Sequence, residues 1–463
     1  MSRKFRWSRR TFLTALGAAS GSLLAPGELN ASMFGKKQEH EKKESAGVDG
    51  HPICKITSGL GSRDIYEELG VTPMININGT ITVIGGSVMA PEVMELMRQG
   101  NQHFVSLDEL EIAAGKWISK LIKSPAGYTS LVTGGAAAAL VVGYAGMMTE
   151  DLEPRIRVCP DVTDFPKTEV IIQKAHRYAF DHQIRQTGAK LVEVETKEQM
   201  INAINPKTLA IHFLNIQSDR GQVTGPETIE IAKAHNLYTF NDAAADVPPV
   251  SRLWEYPAQG WDFVAFSGGK DIKGPQASGL LIGKEELIRW ALLNMSPQED
   301  RIGRCCKVGK ETIFAFLKAL EMFVNRSDDD EVRTDDERAK TITDAIAKFG
   351  VTALPRRYNP QALGNVTPYY SWKIDPTKLK ITGQEVMEQL GATRPVAIGS
   401  TGANVGGMRG RDPNPAPQQM HRRSRRPQRD PNVFGFATWQ LKKGEDRIIA
   451  DRLVEIFSGA QKA

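Results

Sequence analysis

A lysine sits in a glycine-rich turn, Phe266-Ser267-Gly268-Gly269-Lys270, at the end of an apolar run. An aspartate closes another such run in Asn241-Asp242-Ala243-Ala244. A lysine amine forms a Schiff base with an aldehyde cofactor. A carboxylate keeps that cofactor's pyridine nitrogen protonated, which makes the ring an electron sink for carbanion chemistry. The two residues therefore point to a pyridoxal 5'-phosphate site, with Lys270 as the catalytic residue and Asp242 on the pyridine nitrogen. The ordinary alternatives are a surface lysine in a turn and a helix-capping aspartate. The flanks favour the cofactor, because Gly274-Pro275-Gln276 leads from the lysine turn straight into a second apolar run.

Other residues complete the candidate site. The Ser267 hydroxyl is placed to bind the cofactor phosphate, and Gly268 and Gly269 allow close backbone approach. Gly134, Gly135 and Ala136 open an alanine-rich helix whose free amides suit a phosphate. His176 is the candidate to stack on the cofactor ring, with Arg177 a rival for anion binding. Asn215 and Gln217 follow a strand end and suit the phenolic oxygen or the substrate. Ala244 is small enough for the ring to lie flat beside it. For substrate binding the candidates are Asn78 and Thr80, in a segment of Gly, Thr and Asn, and the cations Lys310 and Arg356. Ordinary turn chemistry and a solvated basic face are the alternatives for these four.

These residues need a frame. Short apolar runs at 170–172, 190–194, 210–214, 237–240, 263–266 and 279–282 read as strands. Helical stretches at 179–188 and 226–236 fall between them, and a long amphipathic helix is expected at 310–325. Strands alternating with helices imply a largely parallel α/β sheet covered on both faces. Ligands in such sheets lie at the carboxyl ends of the strands, where Asp242 and Lys270 fall.

The chain has 463 residues, 41% of them apolar, enough for a large domain and a smaller one. Its formal charge of +5 is mild for that length and gives no global nucleic-acid-binding field. The four cysteines, Cys54, Cys159, Cys305 and Cys306, form neither a CxxC pair nor a Cys/His cluster with zinc spacing, so no metal site is expected. Ser8-Arg9-Arg10-Thr11-Phe12-Leu13 is a twin-arginine motif, followed by a weakly apolar run from Ala15 to Ala25 that is too short to span a membrane. A basic cytosolic tail is the alternative. The expected organisation is a signal peptide at 1–31, a polar linker at 32–63, an N-terminal segment with a large cofactor domain at 64–325 and a small α+β domain at 326–463. Residues 402–431 read as an exposed, mobile insertion. Its arginine cluster, Arg422-Arg423-Ser424-Arg425-Arg426, lacks interleaved aromatics and reads as a solvating loop rather than a polyanion site.

Several stretches resemble the selenocysteine synthase-like branch of fold type I pyridoxal phosphate enzymes. They are Tyr66-Glu67-Glu68-Leu69-Gly70-Val71, Ile75-Asn76-Ile77-Asn78-Gly79-Thr80, the turn at 132–139, Asn241 to Ala245, Phe266 to Gly283, and Lys307-Val308-Gly309-Lys310-Glu311. That branch includes L-seryl-tRNA(Sec) selenium transferases and D-glucosaminate-6-phosphate ammonia-lyases. The resemblance implies a mostly parallel seven-stranded sheet between helices, pyridoxal 5'-phosphate on Lys270 and a homodimer or higher homo-oligomer. The leading expectation is a lyase or transferase acting on a small amino acid or amino-sugar acid, exported through the twin-arginine machinery to the periplasm and meeting no nucleic acid there. The alternatives are selenium transfer onto seryl-tRNA(Sec), which needs RNA and a cytosolic pool, and a non-catalytic binding protein with the same fold.

Overall fold

The computed structural model describes residues 58–359, 364, 366–392, 397–399 and 430–462. The twin-arginine stretch, most of the polar linker and nearly all of the 402–431 insertion lie outside the described residues. Two compact units are distinguished, Met1–Leu69 and Gly70–Ala463. Of the first, the described part holds one short helix, Ile65–Glu68, capped by Asp64, whose Oδ1 accepts from the Tyr66 amide at 2.8 Å. The rest of the description concerns the second unit.

Seven strands form its main sheet: β1 Tyr128–Thr133, β2 Glu169–Gln173, β3 Lys190–Val194, β4 Thr208–Leu214, β5 Tyr238–Asp242, β6 Phe263–Ser267 and β7 Gly279–Lys284. Their spatial order is β1-β7-β6-β5-β4-β2-β3. Strand β7 runs antiparallel to both of its neighbours, while β6, β5, β4, β2 and β3 pair parallel. Every residue of β4 is buried, as expected of a central strand covered on both faces. All six expected strands form, and β1 is the one the sequence reading left unassigned.

Helices α1 Pro91–Gly100, α2 Leu107–Leu121, α3 Ala136–Thr149, α4 Gly225–Ala234, α5 Glu285–Leu293 and α6 Lys310–Val324 belong with this sheet. Local chemistry sets their ends. In α4, Thr224 and Glu227 form a reciprocal capping box and Pro226 stands in the first turn, where its missing N–H costs nothing. The helix expected at 179–188 is divided into a 3-10 turn, Ala179–Asp181, and a short helix, His182–Gln186. The division follows Asp181, whose carboxylate is drawn to Arg177 and the Tyr178 amide.

A second apolar core belongs to the small domain. Strands β8 Val351–Ala353, β9 Tyr370–Ile374 and β10 Val433–Phe436 make an antiparallel sheet in the order β10-β9-β8. It packs with α7 Asp328–Ile346, α8 Gly383–Ala392 and α9 Glu445–Lys462. Ile75 and Ile77 are buried in this core rather than in that of the main sheet. Alternation of apolar and polar residues marks a buried face but not the partner that buries it.

Candidate active site

The carboxyl ends of β5 and β6 carry the two residues that began the argument. These strands pair in parallel, with Asp242 opposite Ala265, so the Ser267-Gly268-Gly269-Lys270 turn emerges beside Asp242. Lys270 is half-buried, and among the described residues its amine forms no salt bridge. Burial pushes its pKa down toward the neutral amine, against the pull of the Asp242 and Asp246 carboxylates. Burial likewise raises the pKa of Asp242, while Tyr178, the Ala244 amide and Lys270 act to keep it ionised. Tyr178 Oη donates to Asp242 Oδ2, and Ala244 N donates to Oδ1 at 3.0 Å.

The expected phosphate corner is assembled by sheet register. Gly279, the first residue of β7, pairs with Thr133 on one side and Ser267 on the other. A Cβ at Gly279 would stand 2.5 Å from the Gly135 carbonyl carbon and 2.8 Å from the Ala136 nitrogen. Ser267 and the N-terminus of α3 therefore flank one glycine. Gly135 is the N-cap of α3 with φ of 128°, a backbone that favours glycine, and a Cβ there would meet nothing within 4 Å. Gly134 approaches the Cys306 carbonyl, which a Cβ would reach at 3.0 Å.

Asn215 is buried and donates from Nδ2 to Tyr256 Oη at 2.8 Å. Behind it lies Asp246, fully buried, with neither carboxylate oxygen in a hydrogen bond. Burial pushes Asp246 up to about 7. Arg252, Asn215 and Lys270 oppose that rise, although the Asn215 amide stops short of hydrogen-bond geometry with either oxygen.

Other expected residues stand elsewhere. His176 is fully buried, its ring edge-on to Phe213 at 4.7 Å, and its Nδ1 accepts from the Leu214 amide at 3.3 Å. The core claims the ring, and the aromatic residue of this segment that touches Asp242 is Tyr178. Lys310 Nζ donates to the Gly100 carbonyl and to Asn101 Oδ1, both at 3.0 Å, and so ties α6 to the end of α1. Arg356 pairs with Asp336 in the small domain. Both cations are thus committed to structural partners. Asn78 keeps a buried Nδ2 without a hydrogen bond, and Thr80 is half-buried nearby. The same segment does reach the lysine turn, because Ser87 Oγ donates to the Gly269 carbonyl at 3.1 Å and Gln276 Nε2 to the Thr82 carbonyl at 2.9 Å.

Sequence reasoning missed Tyr178, His212, Tyr144 and Asp246. Only Asp246 left a signal, a second aspartate shortly after Asp242 in the same small-residue stretch. The donor set fits pyridoxal phosphate: a half-buried amine whose pKa burial lowers, a carboxylate with lone pairs to spare, and an anion corner at a helix N-terminus bordered by a glycine with open space above it.

A model of the family described as SelA: L-seryl-tRNA selenium transferase matches residues 74–336. D-glucosaminate-6-phosphate ammonia lyase of Salmonella typhimurium is 29% identical over 271 residues, covering 56% of this chain and 70% of that protein. A 5'-C-glycyluridine monooxygenase-decarboxylase of a Streptomyces species is 26% identical over 286 residues, covering 59% and 68%. The L-seryl-tRNA(Sec) selenium transferase of Mannheimia succiniciproducens is 27% identical over 291 residues, covering 56% of this chain and 57% of that protein. A solved structure of D-glucosaminate-6-phosphate ammonia-lyase superposes with a TM-score of 0.69 at 25% identity, covering 86% of this chain and 99% of the other. Site geometry, family match and fold agree: the chain belongs to the L-seryl-tRNA selenium transferase family and is a pyridoxal phosphate enzyme of fold type I.

Proposed function

We propose that this enzyme is a lyase that removes a β-substituent from a small amino acid or amino-sugar acid, with Lys270 as its acid–base group. The observation that carries the reading is the placement of a half-buried Lys270 beside Asp242 at adjacent strand ends, with burial lowering the pKa of the lysine. Pyridoxal phosphate, when bound, supplies an aldehyde that captures amines and a ring that draws electrons from the substrate's α-carbon. Asp242 holds a proton at the pyridine nitrogen. Ser267 and the amides of Gly135 and Ala136 bind the phosphate, and Asn215 binds on the phenolic side. Lys270 Nζ takes the α-proton of the substrate and carries a proton to the departing group. Ala244 leaves room beside the ring, and the segment around Ser87 closes over the lysine turn and excludes water.

The ammonia lyase likeness supports the amino-sugar acid as substrate class. The family match and the transferase relatives support a second reading, selenium transfer onto seryl-tRNA(Sec). The twin-arginine motif supports export and weighs against that reading, since an exported enzyme meets no charged tRNA. We further propose a homo-oligomer in which the exposed N-terminal segment packs near a neighbouring site.

The deciding experiment records absorbance of the purified protein with pyridoxal phosphate, followed by borohydride and mass analysis. A band near about 420 nm that borohydride fixes on the Lys270 peptide is expected, with ammonia released from amino-sugar acids as water hydrolyses the enamine product of β-elimination to a keto acid. Cofactor trapped on another lysine, or none at all, overturns the assignment. Salt-sensitive tRNA binding without ammonia release selects the transferase reading.

A further inference from the structure

Behind Asp242 lies a line of polar side chains that the proposed reaction does not use. Tyr178 Oη donates to Asp242 Oδ2. On its other side Tyr178 Oη lies 3.5 Å from His212 Nε2, with the two rings nearly parallel, 13° apart at 5.9 Å between centroids. His212 Nδ1 lies 2.9 Å from Tyr144 Oη. His212 belongs to β4 and Tyr144 to α3, and both are buried to 1% exposure or less. Three separate elements therefore deliver one continuous row of hydrogen-bonding groups to one carboxylate.

Proton counting gives the row one direction in which every contact is a hydrogen bond. A phenol has one hydrogen, and that of Tyr178 goes to Asp242. Tyr178 Oη therefore accepts from His212, so Nε2 carries the ring hydrogen. Burial holds His212 down to about 3, so the ring is neutral and Nδ1 is bare. Nδ1 then accepts from Tyr144 Oη, and every hydrogen in the row points toward Asp242.

We infer that Tyr144, His212 and Tyr178 form a one-way donor chain that keeps Asp242 ionised and so fit to hold the pyridine nitrogen's proton. The three act through Asp242 and are positioning residues. Each donor polarises the next, which strengthens the final bond to the carboxylate in a site where burial works against its charge. The charged and titratable groups that also face Asp242 are Lys270, which favours its ionisation, and Asp246; His176 is the further titratable group acting on His212. The chain does not conduct protons to solvent, because its far end, Tyr144, is sealed in the core.

The inference rests on the Asp242 role proposed above, and its test separates the two. Protein labelled with 15N at the histidine rings is examined by NMR, with His212→Gln assigning the His212 signals. In the wild type with pyridoxal phosphate, His212 is expected as the Nε2–H tautomer. In Asp242→Ala the hydrogen of Tyr178 turns to Nε2, so the population is expected to move to Nδ1–H. The Nδ1–H form in the wild type, or one tautomer in both proteins, overturns the chain. Tyr178→Phe gives the second readout, an expected loss of about tenfold in pyridoxal phosphate affinity; unchanged affinity also overturns it. Failure of the wild type to bind the cofactor overturns the Asp242 role instead, while the tautomers still judge the donor chain.

Discussion

Lys270 carries the most direct test of the proposed chemistry. In the proposed reaction Lys270→Ala removes both the cofactor's covalent anchor and the group that takes the α-proton. Turnover is expected to fall by at least about 10³-fold, with the visible band absent, as measured by ammonia release and absorbance. Ser267→Ala removes a single hydroxyl from the proposed anion site, which keeps its backbone amides. That change is expected to weaken cofactor binding about tenfold and to leave the fold intact, by fluorescence titration and circular dichroism. Asp246 stands between these roles: a carboxyl near neutrality with both oxygens free of hydrogen bonds lies among Asp242, Lys270 and Asn215. His176 shows the opposite case, because a histidine after a strand end was absorbed by the core.

The proposed phosphate corner is a property of strand register rather than of any one loop. Gly279 pairs with both Thr133 and Ser267, and its bare Cα lets the start of α3 close on the sheet. Gly279→Ala places a methyl group 2.5 Å from a backbone carbon that has no side-chain freedom to yield. The α3 N-terminus must then shift away from Ser267. Cofactor affinity is expected to fall more than about tenfold, a larger loss than Ser267→Ala produces, because several amides move together. The glycine-rich turns around this corner were legible in the sequence, since such turns have few uses. Their convergence was not, because Gly279 lies far along the chain from Gly135 and nothing local sets the pairing.

Buried carboxyls, in the site and away from it, give the stability of the chain a dependence on pH. Glu111, on α2, is 2% exposed, accepts from the Val132 amide at 3.3 Å and leaves Oε1 without a hydrogen bond. Burial pushes it up to about 8. Asp246 moves the same way to about 7, and Asp335 to about 6. The folded chain thus keeps protons that the unfolded chain has released above its ordinary carboxyl range. Stability contributed by these groups is present at low pH and lost as pH rises through the folded values. His176 and His212, held down to about 4 and about 3, act oppositely, with stability lost as pH falls below the ordinary histidine range. Glu111→Gln removes one of these raised carboxyls. Its melting temperature is expected to exceed that of the wild type by at least about 2 °C at pH 8 and to approach it at pH 5, by calorimetry. An equal difference at both pH values would assign Glu111 a packing role alone.

Lys270, Asp242, Ser267 and the Gly134-Gly135-Ala136 turn were readable before any fold was known, and so was the parallel sheet that carries them. Their chemistry is local: a nucleophile, a carboxylate and a helix start each need particular residue types within a few positions. The strand pattern is local too, because burial on both faces leaves continuous apolar runs. Tyr178, His212 and Tyr144 were not readable, since an ordinary tyrosine or histidine acquires a role only when three distant segments set donor against acceptor. The same holds for Ile75 and Ile77, whose apolar character was plain while their place in the small-domain core was not. Lys310 and Arg356 show the limit most clearly: a cation's sequence neighbours reveal its charge, but packing chose Gly100, Asn101 and Asp336 as the groups that hold it.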